Sequence, residues 1–97
     1  GLSGLREYLK KSIQYPKKAF RAGEEGQVTI EFTIDPKGNV INAQVVKSVS
    51  AKLDKEALRI IESMPQWKPG MQRGRPVAVR MSVPLDFVFD QVYKAID

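Results

Sequence analysis

"PVAVRMSVPLDFVF", Pro76–Phe89, is the stretch on which the fold turns. From Val77 onward every odd position is apolar: Val77, Val79, Met81, Val83, Leu85, Phe87 and Phe89. That is the two-residue repeat of a β-strand with one face on a core. Pro84 interrupts it. A proline has no N–H to give to a ladder and is confined to sheet edges and bulges. The spacing therefore predicts a long strand over Val77–Phe89 lying at the edge of its sheet.

Just upstream, "QWKPGMQRGRP", Gln66–Pro76, reads as loop, with Gly70 and Gly74 as turn residues. "LDKEALRIIESM", Leu53–Met64, reads as a helix that Pro65 ends. Leu53, Ala57, Ile60, Ile61 and Met64 line one face, and Asp54 and Glu56 suit its N-terminal dipole. "GQVTIEFTIDPKGNVINAQVVKS", Gly26–Ser48, reads as a hairpin. Val28, Ile30, Phe32 and Ile34 alternate with Thr29, Glu31 and Thr33. Asp35-Pro36-Lys37-Gly38 supplies Asp first, Pro second and Gly fourth, as a tight turn wants. The return strand, Asn39–Ser48, alternates less cleanly: Ile41 and Val45 face one way, Val40 and Val46 the other. At the start, Leu2, Leu5, Leu9 and Ile13 recur at helical spacing, predicting an amphipathic helix over Leu5–Ile13 capped by Ser3. Pro16 opens a second, short helix over Pro16–Ala22, which Gly23 stops.

The order is α-α-β-β-α-β. On so short a chain this is an α+β fold, a three-stranded antiparallel sheet of order 2-1-3 with helices packed on one face. Residues 1–97 form a single domain, with its core in 13–89, the first helix in 1–12 and a polar tail in 90–97. There is no apolar run of the ~20 residues a bilayer span needs. The chain begins "GLSG", without a methionine, so the reading is of a fragment whose targeting segment lies upstream.

Histidine and cysteine are absent. A Ser–His pair is thereby excluded, and the usual ligands of zinc and other transition metals are missing. The carboxylates are scattered at turns and helix starts. No catalysis, cofactor or metal is expected. The formal charge of +5 is concentrated: Arg6, Lys10, Lys11, Lys17, Lys18 and Arg21 fall in the first helices. These could touch an anionic polymer, a cell-wall glycan or a nucleic acid, without specificity. Base stacking is not available, because the open sheet face would carry Thr29, Glu31, Thr33, Asn42 and Gln44 and no aromatic residue. Trp67, the only tryptophan, fits as a plug where helix hands over to loop, and Tyr15 before Pro16 as a packed corner. The edge strand is the remaining signal. Arg80, Pro84 and Asp86 blunt it in part. It is either a protected edge or one left open to an incoming peptide strand.

Three stretches, "YPKKAFRAGEEGQVTIEFTIDPKGNV", "KLDKEALRIIESMPQWKPG" and "GRPVAVRMSVPLDF", resemble the C-terminal domain of the TonB family of periplasmic energy transducers. Tyr15-Pro16, Gly26, Gly38, Trp67-Lys68-Pro69-Gly70 and Pro76-Val77 fall in the family's order over about residues 13–89. The resemblance implies a periplasmic domain carried on a proline-rich stalk from an inner-membrane helix, which engages a proton-motive-force complex. It implies docking to the plug of an outer-membrane active transporter, whose N-terminal TonB box pairs with the last strand. Carried onto this chain, the partner-binding residues are Val77, Ala78, Val79, Arg80, Met81, Ser82 and Val83, with Gln14, Tyr15 and Pro16 nearby. Similar domains are also fused to other membrane proteins as sensor modules.

Overall fold

The computed structural model describes residues 2–89. The expected polar tail, 90–97, lies outside the described residues. In chain order the elements are α1 (Leu2–Ser12), α2 (Lys17–Arg21), β1 (Gly26–Ile34), β2 (Val40–Lys47), α3 (Ala51–Glu62), β3 (Gly70–Gln72), β4 (Arg75–Val77) and β5 (Val79–Phe87). Strands β2, β1 and β5 form an antiparallel sheet in that order, so the long last strand is an edge. This is the expected α+β fold with the expected 2-1-3 arrangement.

The β1–β2 connection follows from its residues. Gly38 N–H donates to the Asp35 carbonyl at 2.9 Å, closing the turn. The Asp35 carboxylate accepts the N–H groups of Lys37 and Asn39, each at 2.9 Å. Gly38 is buried and has φ +90, which a side chain would strain. The α3 start is fixed in the same way. Ser50 Oγ accepts the Leu53 N–H at 3.2 Å, and Asp54 accepts the Val49 N–H at 3.0 Å. Helix α3 then buries Leu53, Ala57, Ile60 and Ile61 against Val28, Ile30, Phe32 and Ile34 of β1 and Val83, Leu85 and Phe87 of β5.

Four readings needed correction. Helix α1 begins at Leu2, so Ser3 lies inside it and not before it. Strand β2 carries two irregularities, register shifts against Thr29/Ile30 and Glu31/Thr33, and Asn42 has φ +56. The added residues rephase the strand. Val40, Ala43 and Val45 therefore pack on the core, while Ile41 and Val46 are exposed. The segment read as loop holds a small hairpin, β3 with β4. It turns on Arg73 and Gly74, with φ +53 and +75, the two positive values of a tight type I′ turn. The last strand is accordingly shorter than Val77–Phe89. Val77 pairs with Gly70 in the hairpin, Ala78 breaks the ladder, and β5 starts at Val79.

Trp67 packs against the core beside Phe32, ring centroids 6.4 Å apart, but is only half-buried. Its N–H donates to the Gly38 carbonyl at 2.8 Å, so the chain leaving α3 is tied to the β1–β2 turn.

Candidate functional site

Strand β5 runs along β1 in an unbroken register from Ile34↔Val79 to Gly26↔Phe87, with Pro84 opposite Thr29. Its other side faces no strand among the described residues. Arg80, Ser82, Pro84 and Asp86 are exposed on the open face, and the Arg80 guanidinium pairs with Glu31 at 3.0 Å. On the other face Val83, Leu85 and Phe87 are buried and Met81 is half-buried. Val79 is 37% exposed, with its side chain against Gly70. Val77 and Ala78 precede the strand, half-buried and exposed respectively.

Gln14, Tyr15 and Pro16 form the link between α1 and α2. The structure brings them to the Phe87 end of β5, not to the Val77 end. The Tyr15 ring lies edge-on to Phe87 at 5.7 Å and to Phe20 at 5.9 Å. Phe89 closes the cluster, 5.8 Å from Tyr15 and 5.3 Å from Phe20. The Tyr15 hydroxyl donates to the Glu24 carbonyl. Burial, then the charges of Glu25 and Glu24, push this phenol above its ordinary pKa and keep it protonated as a donor. The sequence-predicted residues thus fall at the two ends of one edge. Val79 and Phe87 are about 26 Å apart along a strand rising ~3.3 Å per residue.

An ion pair between the buried Glu56 and the half-exposed Arg59 holds the Gln14–Pro16 corner. Glu56, 9% exposed on α3, receives the Arg59 guanidinium at 2.7 and 2.8 Å. The same carboxylate accepts the Gln14 N–H at 2.8 Å, and Arg59 donates to the Ser12 carbonyl at 3.1 Å. Two backbone groups freed where α1 ends are satisfied from α3. Glu56 had been read only as a helix-dipole residue. The signal available was the Glu–Arg spacing of three on one helix face; its partner across the fold is invisible locally.

Among the described residues no group of three or more His, Cys, Asp or Glu side chains converges to hold a metal. The basic residues of the first helices, Lys10, Lys11, Lys17, Lys18 and Arg21, are exposed. No helix of the described residues is long and apolar enough to cross a membrane. What the site offers is main-chain donors and acceptors along a regular edge, with a basic, partly apolar end and a rigid aromatic end.

Residues 11–89 match the family described as Gram-negative bacterial TonB protein C-terminal. The chain is similar to Protein TonB of Vibrio cholerae, 39% identical over 77 residues, which cover 76% of this chain and 30% of that protein. It is 35% identical over 80 residues to Protein TonB of Xanthomonas campestris, covering 79% and 34%. The chain therefore spans about a third of the length of these curated relatives. Its fold is similar to the solution structure of the Helicobacter pylori TonB C-terminal domain, with a TM-score of 0.66 and 27% identity over 90% of this chain and 91% of that one.

Proposed function

Because this chain belongs to the Gram-negative bacterial TonB protein C-terminal family, we propose that it is the periplasmic binding domain of an energy transducer anchored in the inner membrane. It docks to an outer-membrane active transporter by adding the transporter's N-terminal segment to β5 as a further strand. It catalyses nothing and takes no cofactor. Residues 1–97 act as one domain built on a core in 13–89.

The observation that carries this reading is the regular, unpaired side of β5. Pro84 has no N–H, so it fits opposite Thr29 only at a pair that does not exchange ladder bonds. Alternation then gives Ser82 and Arg80 the same outward phase, while Val79, Met81 and Val83 bond inward to β1. The incoming segment pairs along β5 from Val79 to Val83, with Val77 and Ala78 at its approach, and loses register at Pro84. Gln14, Tyr15 and Pro16, fixed at the far end by Glu56 and the aromatic cluster, meet the part of the partner beyond that point.

The test is titration of a transporter N-terminal peptide into Arg80→Pro. This change deletes an outward donor and leaves the inward ladder intact. The loss of one hydrogen bond, about 1 kcal/mol, weakens binding about fivefold. Val79→Pro, by contrast, damages the fold. An Arg80→Pro protein that stays folded and binds as wild type does would show that strand addition at this edge is wrong.

A further inference from the structure

The β3–β4 hairpin is joined to β5 by Ala78 alone, and Gly70 backs directly onto the Val79 side chain. It is therefore held at the end of the strand where pairing would begin. Its charge is one-sided. Lys68, Arg73 and Arg75 are exposed and have no ion-pair partner among the described residues, and Met71 beside them is 59% exposed. The turn also departs from local preference. The first turn position of this type favours Asn or Asp, yet Arg73 occupies it at φ +53. A long cation kept where the backbone favours a short side chain is a local conflict of the kind found at functional positions. The far end of the edge is mixed in charge: Asp86 on the strand and Glu24 and Glu25 beside the Tyr15 corner stand with the exposed Lys17, Lys18 and Arg21 of α2.

We infer that the hairpin is a second contact, which reads an acidic run flanking the segment that pairs with β5. The inference rests on the strand-addition reading and adds a charge polarity to it: the partner is acidic at the end that meets Val79 and not at the end that passes Pro84. Charge complementarity selects this occupant over a general polyanion. The cations are continuous with the pairing edge, while Asp86 further along β5 repels an anion extended past Pro84. Exposed pairs are individually weak, so the flank tunes affinity and orientation and does not supply the bulk of binding.

The experiment uses one transporter N-terminal peptide in three forms: flanks replaced by serines, a glutamate run at one end, or a glutamate run at the other. Fluorescence anisotropy follows each at about 50 mM and about 0.5 M salt. One glutamate placement, and only one, binds about three- to tenfold more tightly than the serine form at low salt, an advantage that high salt removes. Arg73→Asn combined with Arg75→Gln abolishes the advantage; Asn tolerates the left-handed turn position, and circular dichroism checks that the fold is kept. Equal gains from both placements, no gain from either, or equally tight binding of polyglutamate lacking the paired segment would each overturn the inference. Failure of the serine form to bind wild-type protein would instead overturn strand addition itself, and this inference with it.

Discussion

Gly38→Ala tests the junction on which the hairpin and the Trp67 segment meet. A Cβ at this position would sit far inside van der Waals contact distance of the Trp67 carbonyl oxygen, with the Trp67 carbonyl carbon at 3.1 Å and nitrogen at 3.4 Å. These are backbone atoms, which no rotamer change can move aside. The φ of +90 adds a strain of about 1–2 kcal/mol for any residue with a Cβ. Relief of the clash must also lengthen the Trp67 N–H to Gly38 carbonyl bond, now 2.8 Å, at a cost of about 1 kcal/mol. The total is about 2–3 kcal/mol, a large share of the ~5–15 kcal/mol that holds a small domain folded. Gly74→Ala is the control, because its φ of +75 is similar but nothing lies within 4 Å of the added carbon. It should cost only the backbone strain, about 1–2 kcal/mol. Urea unfolding followed by Trp67 fluorescence gives both values. If the two alanine variants differ by less than about 0.5 kcal/mol, the close approach at Gly38 is not holding the segment, and the argument fails.

Glu56→Ala should cost about 1–3 kcal/mol, since it removes the acceptor of the Gln14 N–H and the partner of the half-exposed Arg59 guanidinium, whereas Glu56→Gln keeps an acceptor and should lose less; equal losses in thermal unfolding would show that the carboxylate is not an anchor. Asp35 should make the fold acid-sensitive. Hydrogen bonds from the Asn39 backbone, then the Lys37 backbone and the Asn39 side chain, lower its pKa. A folded pKa below the unfolded one means that its contribution is complete above about pH 4 and fades as pH falls through the folded value. Asp35→Ala should therefore flatten the low-pH limb of a stability-versus-pH curve, and an unchanged limb would remove Asp35 as its cause.

The fold was legible because its core-forming elements are strongly periodic. Val28 to Ile34 and Val83 to Phe87 alternate without a break, and Leu53, Ala57, Ile60 and Ile61 repeat at helical spacing, so period alone fixed their faces. The helix–strand step lets the last strand lie beside the first, which gives the order 2-1-3 and an edge position that Pro84 tolerates. Strand β2 was harder because a bulge leaves no mark in the residue pattern except a loss of phase, and Asn42 is one of the few non-glycine residues that a positive φ suits. The β3–β4 hairpin was missed because its strands are three residues each and contain Pro76, and because its turn reads Arg-Gly in place of Asn-Gly. The Glu56 anchor was unreadable for another reason: the Gln14 N–H that Glu56 accepts and the Ser12 carbonyl to which Arg59 donates are more than forty positions away, and only the folded chain brings them together.

The two borders of the sheet are unlike. Strand β5 keeps an unbroken register over its whole length and lacks an outward donor only at Pro84, whereas the double irregularity in β2 breaks the register on the opposite border. An open-ended filament grows only when each added unit exposes a border as receptive as the one it consumed. Here the receptive border is used up by the first strand that arrives, whether from a partner or from a second copy. Two copies joined through β5 would show only β2 to the outside. The sheet therefore has a capacity of one, and its saturation ends assembly, so a regular uncovered edge can persist on a small domain without seeding aggregation.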